Sequence, residues 1–466
     1  MPNTPLTPVQ KALAINLDDA IYGSIAEIGA GQEVARNFFK AGGASGTIAR
    51  SISAYDMAVS DSIYGKSPDG RYVSAGRLNE MLQYEYNNLL NILAAKQTAT
   101  FFSFANTVSA LNFKKDNFTH GWMGIRYQLQ PNCNPNNIIV HFRLWETDNL
   151  LQQRTAGLLG VNLIYAAFYY HSNPVQLLKS LIDSTSSDRV SIDMINTSGP
   201  DLNYIDNRLL AVQLVKNGMS ETAMFDRNGQ VMQPSDMLYK KNILIIRGSF
   251  RPITYVGFDM LKTGLRMLKR DVDFKKENTL TLCEITMDNL VSDGDFHEKD
   301  FLHRVDLLCG MGQNVLISNF REYYKLVLYL SQFKTEALRL MIGAETFKKV
   351  IDPVYYQHLK GGVLEAFGRL FAQNLKIYLY PSLIPASQQL MVSENLPVET
   401  SIKSLYRYLL ENQKILDVAD VKKEWLYIFP HDVRRLIAQK DASWEKMVPV
   451  YVARFIKSHK VFEYEE

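Results

Sequence analysis

The sequence predicts an α/β fold, and residues 241–383 carry most of that prediction. In this region short apolar runs of strand length alternate with amphipathic segments of helical length. Such alternation is typical of βα units, in which helices cover both faces of a parallel sheet. The predicted strands are NILIIRG, TLTLCEIT, NVLISN, ALRLMIGA and LKIYLYP. They fit either an open parallel sheet or repeats like those of a TIM barrel.

Composition and charge indicate an ordinary globular protein that is long enough for two or three domains. The 466 residues carry a formal net charge of +3, which is too small to predict a nucleic-acid or membrane partner. The three cysteines lack the CxxC spacing of a zinc site, and their scatter suits a reducing compartment. We see no signal peptide and no apolar run of membrane-spanning length. We therefore expect a cytoplasmic protein.

Changes of pattern along the chain predict four regions. Residues 1–97 form a Gly-rich helical region, and residues 98–240 form an α+β region with two halves of similar element order. The βα-repeat core covers residues 241–383. A helical C-terminal cap at residues 384–466 is expected to pack back on that core. The cap is also the segment through which an oligomer could form.

The most unusual composition belongs to two glycine clusters that flank the predicted helix QEVARNFFKAG. The first cluster has the acidic-Gly-x-Gly form of a nucleotide or S-adenosylmethionine loop, in which glycines allow close approach and a helix N-terminus favours anions. Val34, however, stands where the third glycine of GxGxxG belongs. The alternatives are a structural helix corner and, for the second cluster, a helix cap. The candidate cofactor-binding residues are Glu27, Gly29, Gly31, Gly43, Ser45 and Thr47.

A second group of candidates lies on predicted strands of the region 98–240. Alternation along IIVHFRL puts His141 and Arg143 on one face of a strand. If that face lines a cleft, it is cationic and titrates near neutral pH, which makes His141 a candidate catalytic group. His120 and Arg126 on the preceding strand are candidate substrate-binding residues. The alternative is a solvated sheet face.

The sharpest local motif is RGSFRP, which ends the first strand of the core. Two arginines on either side of a glycine and a serine suit bidentate capture of a phosphate or carboxylate. Arg247, Ser249 and Arg251 are therefore candidate substrate-binding residues. Arginines with a purely structural role at a loop end are the alternative.

Polar residues also end the next two predicted strands. Glu284 and Asp288 bracket the end of TLTLCEIT, where two carboxylates could hold Mg²⁺ or divide the acid and base roles of a reaction. Asn319 ends the third strand and is a candidate substrate-binding residue. Because the carboxyl ends of parallel strands meet at one edge, we expect Arg247, Glu284 and Asn319 to share a rim. The motifs of serine hydrolases, P-loop NTPases and zinc proteases do not occur.

Stretches from most of the chain resemble a family of bacterial cytoplasmic proteins of about this length. They are AEIGAGQEVARNFFKAGGASGTIARSISAYDM, HGWMGIR, GVNLIYAAFYY, RGSFRP, GGVLEAFGRLF and SWEKMVPVYVA. Members often carry the automatic labels nicotinate-nucleotide adenylyltransferase or TonB-dependent receptor. The sequence supports neither label, since none of the eight histidines lies in an HxGH motif and the signal and alternating strands of an outer-membrane receptor are missing. The resemblance implies no catalytic residues and favours nucleotide chemistry only in general terms.

These observations favour a cytosolic enzyme, of the transferase class, that acts on a phosphorylated or nucleotide-like small molecule at the carboxyl ends of the parallel strands. Mg²⁺ is the one metal that the candidate carboxylates suggest. The first alternative is an S-adenosylmethionine-dependent methyltransferase built on the turn at residues 27–31. The second is a non-enzymatic scaffold or sensor that uses the helical tail. No nucleic-acid or membrane partner is expected.

Overall fold

The chain folds as two compact units, Met1–Glu221 and Thr222–Glu466, each with its own sheet. We call them unit 1 and unit 2. The computed structural model describes residues 5–67, 70–96, 98–271, 274–291, 294–372, 374–384 and 387–464. The boundary between the units lies within residues 98–240, which the sequence pattern treated as one region. The division into four regions stays a prediction.

Unit 1 is an α+β structure around one six-stranded sheet. Its strands are β1 (Ile21–Ile28), β2 (Ile48–Ile52), β3 (Thr100–Ser109), β4 (His120–Tyr127), β5 (Asn136–Leu144) and β6 (Val190–Ser198). The spatial order is β2-β1-β3-β4-β5-β6. β1 pairs in parallel with β2 and β3, whereas β3 to β6 form an antiparallel meander. The α+β prediction for the N-terminal half is confirmed.

Helices cover both faces of this sheet. They are α1 (Pro8–Asn16), α2 (Glu33–Ala41), α3 (Met57–Tyr64), α4 (Ala75–Ile92), α5 (Asn149–Tyr169), α6 (Pro174–Leu181) and α7 (Asn207–Lys216). α5 begins at the N-cap Asp148, whose side chain accepts a hydrogen bond from the Leu151 N–H group. Its apolar residues belong to the same core as Phe104 and Phe142 of the sheet. Leu78 of α4 belongs to the core on the opposite face.

Unit 2 contains the βα repeats that the sequence predicted. Its strands are β7 (Thr222–Phe225), β8 (Val231–Met232), β9 (Asn242–Arg247), β10 (Thr279–Thr286), β11 (Asn314–Ser318), β12 (Ala337–Gly343), β13 (Leu375–Tyr380), β14 (Ser382–Leu383), β15 (Leu390–Met391) and β16 (Ile415–Asp417). The main sheet has the order β16-β13-β12-β9-β10-β11-β7-β8, and its strands from β16 to β11 are parallel. The sheet is open, so of the two predicted arrangements the open parallel sheet is confirmed and the barrel is wrong.

The helices of unit 2 alternate with these strands and continue into the C-terminal end, as predicted. They are α8 (Pro234–Leu238), α9 (Tyr255–Asp271), α10 (Met287–Leu290), α11 (Glu298–Gly310), α12 (Tyr323–Ser331), α13 (Ala344–Val350), α14 (Gly362–Leu370), α15 (Lys403–Glu411), α16 (Pro430–Ala438) and α17 (Val450–His459). Tyr406 and Leu409 of α15 are buried in the core of unit 2. Among the described residues, no helix combines the length and the hydropathy that crossing a membrane requires.

The strand order of unit 2 creates a topological switch point between β9 and β12. From β9 the chain moves outward through β10 and β11, and it then returns to the other side of β9 to form β12 and β13. The connections on the two sides therefore diverge at the carboxyl ends of β9 and β12. In open parallel sheets such a point leaves a crevice where ligands bind.

Candidate functional site

A cavity of about 600 Å³ lies at the carboxyl edge of the unit 2 sheet. Arg247, Gly343 and Tyr380, the last residues of β9, β12 and β13, contribute to its lining. The loop after β9, the first turn of α9 and the segment 426–430 complete the walls. We call this cavity the carboxyl-edge pocket. It stands at the switch point, and most of the side chains around it are apolar.

Arg247 contributes to the pocket wall, but its guanidinium is already held by a buried carboxylate. Its Nε and Nη2 atoms donate to the two carboxylate oxygens of Glu284, each at 2.8 Å. Ser318 donates its hydroxyl to the same carboxylate at 2.6 Å, and Glu284 is fully buried. The Arg247 Nη1 atom donates to the backbone oxygen of Arg321 at 2.8 Å. The arrangement fixes Arg247 in place and sets a carboxylate charge directly against its positive charge.

The surroundings keep this arginine charged. Burial acts to lower the pKa of Arg247, but the Glu284 carboxylate outweighs burial, and the pKa is raised above its ordinary value. The guanidinium also lies over the Tyr323 ring, 4.2 Å from its centroid. Burial raises the pKa of the Tyr323 hydroxyl to about 12. Arg247 therefore gives the pocket a fixed piece of wall whose charge is balanced by Glu284 behind it.

The loop that follows Arg247 is anchored by charged residues of two helices. Arg251 pairs through Nε with Asp300 of α11 at 3.0 Å, and its backbone oxygen accepts a hydrogen bond from Arg434 of α16 at 2.8 Å. The backbone oxygen of Ser249 accepts from Arg304 at 3.3 Å. Arg251 is thus directed to Asp300 and is not part of the pocket lining, whereas Ser249 is.

The start of α9 forms part of the pocket wall. Thr254, Val256 and Gly257 line it at the start of this 17-residue helix. One turn further on, the buried Asp259 accepts a hydrogen bond from the Tyr380 hydroxyl at 2.8 Å. Burial first and Asp259 second raise the pKa of Tyr380, so this hydroxyl stays protonated. The bond ties α9 to the end of β13.

Aromatic side chains form the rim of the pocket. Tyr427 and Phe429 line the cavity although about half of each side chain is exposed to solvent. The Tyr427 hydroxyl donates to the side chain of Gln388. Trp425 stacks on Tyr255, with 5.0 Å between the ring centroids. Exposed aromatic faces at a cavity mouth are suited to stacking on a flat ligand.

The other predicted residues of this edge have separate surroundings. Glu284 is buried with its three donors, whereas Asp288 on α10 is largely exposed and pairs with Arg321 at 2.9 Å. Asn319 is exposed directly after β11 and does not line the pocket. Within the described part of the chain, no group of three or more His, Cys, Asp or Glu side chains could hold a metal ion. Of the predicted rim of Arg247, Glu284 and Asn319, Arg247 lines the pocket, as does the separate candidate Ser249.

In unit 1, the first glycine cluster has a packing role. A Cβ atom at Gly29 would lie 1.9 Å from the backbone oxygen of Val108, and Gly29 has φ of +95°. The Glu27 carboxylate accepts hydrogen bonds from the N–H groups of Val34 at 3.1 Å and Ala35 at 2.9 Å. It therefore occupies the α2 N-terminus that a cofactor phosphate would need. Burial raises the pKa of Glu27 to about 7.

The two glycine clusters lie at opposite ends of α2. Gly31 precedes the helix by two residues, and Gly43 follows its end by two residues. The nine residues of α2 separate the clusters by about 13 Å. Thr47 is buried and donates its hydroxyl to the Asn16 backbone oxygen at 3.1 Å, while Ser45 is exposed. The structure thus does not bring the six candidate residues together into one loop.

Two histidines of unit 1, His120 on β4 and His141 on β5, lie close together. His141 is fully buried, and its Nε2 atom is 2.9 Å from the Nδ1 atom of His120. Arg126 is directed elsewhere, donating to Asn137 at 2.9 Å and lying over the Tyr86 ring. The face is therefore neither a simple solvated surface nor one continuous cationic strip.

Sequence reasoning missed the residues that contact these candidates. Pro430 stands at the first position of α16, a common place for proline. This signal could have marked Tyr427 and Phe429 as loop residues. Asp193, which binds His141, gave no usable signal, because its orientation depends on a β-bulge in β6. Asp259 appeared only as one polar residue of an amphipathic helix.

No family model matches the chain, and no curated protein matches it. A solved competence/damage-inducible protein (CihA) from Agrobacterium tumefaciens is 14% identical and covers 36% of this chain and 98% of its own, with a TM-score of 0.27. A CinA superfamily protein from Enterobacter cloacae is 12% identical, with 36% and 95% coverage and a TM-score of 0.28. A third, from Enterobacter asburiae, is 13% identical, with 35% and 98% coverage and a TM-score of 0.26. Similarities this low carry no conclusion about function.

Proposed function

We propose that unit 2 binds a phosphorylated, nucleotide-like small molecule in the carboxyl-edge pocket. The observation that carries this proposal is the position of the pocket, since the carboxyl ends of the strands beside a switch point are where open parallel sheets bind ligands. The volume of about 600 Å³ also fits, because small-molecule pockets usually measure about 300–1,000 Å³.

The distribution of side chains around the pocket suits an amphipathic ligand. Apolar walls, with Tyr427 and Phe429 at the rim, suit the flat base of a nucleotide. The first turn of α9 offers backbone N–H groups, and these together with the Ser249 hydroxyl suit a phosphate. Because Glu284 already holds Arg247, we assign this arginine to the wall of the pocket and not to phosphate capture.

Group transfer stays the predicted reaction of this pocket, and no specific observation favours either alternative. The methyltransferase hypothesis needs a free helix N-terminus after the turn at residues 27–31, and Glu27 bonds to the N–H groups there. The scaffold hypothesis rests on the helical tail, whose helix α15 contributes Tyr406 and Leu409 to the core of unit 2.

The proposal is tested by a thermal-shift screen of the full chain against nucleoside mono-, di- and triphosphates and phosphosugars, with and without Mg²⁺. A ligand at 100 times its Kd stabilises the folded state by about 2.7 kcal/mol. For a unit of this length we expect the melting temperature to rise by about 5–10 °C. Incubation with the stabilising nucleotide, followed by ³¹P NMR, then tests group transfer.

Two matched substitutions on α13 locate the binding. Thr346 is exposed and lines the carboxyl-edge pocket, whereas Lys349 is also exposed but does not line it. T346W should fill the pocket and abolish the ligand-dependent shift, and K349W should leave the shift unchanged. If no compound stabilises the wild-type chain and calorimetric titration gives no heat, the proposal fails. An equal shift in both variants would place binding elsewhere.

A further inference from the structure

A chain of three polar side chains crosses three strands of the unit 1 sheet. His141 on β5 is in contact through both ring nitrogens: Nδ1 bonds to a carboxylate oxygen of Asp193 on β6, and Nε2 lies 2.9 Å from Nδ1 of His120 on β4. His141 and Asp193 are buried, whereas His120 is partly exposed. The chain therefore runs from a buried carboxylate to a histidine near the surface.

A β-bulge produces this alignment. His141 pairs with Met194 and the next residue, Phe142, pairs with Ile192, so Asp193 is the extra residue of β6. In a regular ladder Asp193 would face Phe142 on the apolar side of the sheet. The bulge instead turns its carboxylate to His141. Bulges that redirect a side chain in this way are frequent beside active sites.

An ionised Asp193 and a neutral His141 together imply one consistent set of proton positions. An ionised Asp193 only accepts, so the Nδ1 atom of His141 carries a proton and its Nε2 atom accepts one. The Nδ1 atom of His120 must then be the donor to His141. The lone pair of His120 then lies on Nε2, the ring nitrogen that does not contact His141. In this arrangement both imidazoles are in the Nδ1–H form.

The groups around His120 give it unusual properties. Burial lowers the pKa of His120 to about 4, and the neighbouring His141 acts in the same direction. Arg143 on β5 and Arg71 on the segment before α4 also lower the pKa, while Asp193 raises it. His120 is therefore neutral at neutral pH. An isolated imidazole with so low a pKa would be a weak base. If His120 passes its Nδ1 proton to His141 as it gains one on Nε2, the positive charge instead lies on His141, beside the Asp193 carboxylate, and His120 can act as a stronger base.

The surroundings of His120 also indicate the charge of a ligand. Arg143 pairs directly with His120 across β4 and β5. Its guanidinium lies 4.5 Å from the ring centroids of both Phe118 and Trp145. Glu221 is the acidic group that interacts with Arg143: burial raises the pKa of Glu221, and Arg143 acts to lower it. The Phe118 ring is partly exposed, 5.2 Å from the His120 ring. His120 therefore lies in the positive field of Arg143 and Arg71, beside an apolar ring surface.

We propose that His120, His141 and Asp193 form a second functional site, in which His120 Nε2 is the general base for a small anionic molecule that carries a hydroxyl group or binds a water. His141 and Asp193 are positioning residues. The site belongs to unit 1 and is independent of the function proposed for unit 2.

The proton transfer balances within the chain of residues. The O–H bond of the hydroxyl or water breaks, and its proton goes to His120 Nε2 while the electron pair stays on the oxygen. The proton on His120 Nδ1 passes to His141 Nε2, and the proton on His141 Nδ1 stays on that nitrogen, hydrogen-bonded to the Asp193 carboxylate. With an activated ester as the probe, the oxygen attacks the acyl carbon, the acyl–oxygen bond breaks and 4-nitrophenolate leaves with its electron pair. The relay then returns the proton to solvent.

The first test measures ester hydrolysis by the full chain. We expect cleavage of the anionic 4-nitrophenyl hemisuccinate to exceed that of the neutral 4-nitrophenyl acetate. H120Q should lower kcat/KM by about 100-fold, and H358Q, at a half-exposed histidine of unit 2, should leave it unchanged. D193N should lower kcat at constant KM and move the inflection of the pH profile. Equal rates for H120Q and wild type, or an unchanged pH profile in D193N, would overturn the proposal.

A second measurement does not depend on activity. In protein labelled with ¹⁵N at its eight histidines, both His120 and His141 should give the Nδ1–H pattern, which is the opposite of the form that free histidine favours. H120Q assigns the first signal, and because His120 is partly exposed this variant should fold. If the His120 signal shows a proton on Nε2, the relay runs in the wrong direction and the proposal is refuted.

Discussion

Removing Arg247 should destabilise unit 2 strongly. The Glu284 carboxylate is fully buried, and Arg247 supplies two of its three hydrogen bonds. In R247A only the Ser318 hydroxyl would remain, and the carboxylate would be left in the protein interior without a counter-charge. Breaking one partner of a buried ion pair typically costs about 3–5 kcal/mol. For a unit of this length that loss corresponds to a fall in melting temperature of about 6–20 °C.

A second ion pair on the same edge of the sheet provides the control, because it shows how much stability is lost when any arginine is removed there. Arg321 also pairs with a carboxylate, Asp288, at 2.9 Å, but the side chains are 78% and 60% exposed. Exposed pairs contribute about 0–1 kcal/mol, so R321A should barely change the unfolding free energy. Urea denaturation of the three proteins measures the difference directly.

A double substitution completes the test. In R247M/E284L no charge remains buried, and replacing a buried pair by apolar residues of similar size is often nearly neutral. We expect this variant to recover most of the stability that R247A loses. If R247A is as stable as R321A, or if the double variant is no better than R247A, the reasoning about a buried, uncompensated Glu284 is refuted.

Three further predictions concern unit 1, and all are checked by chemical denaturation. The first two need a series of pH values. The pKa of Glu27 is raised to about 7, so its contribution to the free energy of unfolding is complete at acid pH and is lost as pH rises through 7. The wild-type unfolding free energy should therefore fall by ~3 kcal/mol over this range, and E27Q should not show that fall. The pKa of His120 is lowered to about 4, so its contribution to the free energy of unfolding is complete above the ordinary imidazole pKa and is lost as pH falls toward 4. The wild-type unfolding free energy should fall by at most ~3 kcal/mol over this range, and H120Q should not show that fall. G29A, whose Cβ would meet the Val108 backbone, should cost more than ~3 kcal/mol, whereas G42A, with φ of +85° and open space, should cost about 1 kcal/mol. Slopes that persist in the variants, or equal costs at the two glycines, would contradict these assignments.

The parallel strands of unit 2 could be predicted because they are buried on both faces. In β9, the four consecutive residues Ile243–Ile246 are all buried, so the strand appears in the sequence as an uninterrupted apolar run. The three-residue strand β16 shows no such run and was missed. Strand order was also out of reach, because the sequence does not tell on which side of β9 the next strand will pair. The switch point therefore could not be predicted.

The candidate site was predicted only in part for a related reason. The ends of β9, β12 and β13 meet at one pocket, through Arg247, Gly343 and Tyr380, as the rule that parallel strands share a carboxyl edge requires. That rule could not show that β9 and β10 pair in the register that sets Arg247 directly beside Glu284. That register converts a predicted phosphate-binding arginine and a predicted catalytic carboxylate into partners of each other.

The glycine cluster of unit 1 shows why composition alone does not separate a cofactor loop from a packed corner. Both need glycine where the backbone has positive φ and another group approaches closely. At Gly29 the approaching group is the backbone of Val108, and at the start of α2 the anion is the protein's own Glu27. A sequence pattern specifies the close approach and the negative charge, but only the tertiary structure identifies what supplies them. The same reasoning applies to Arg247, whose anion is also internal. Under the proposed function, backbone N–H groups and aromatic side chains are then left to select the ligand of the carboxyl-edge pocket.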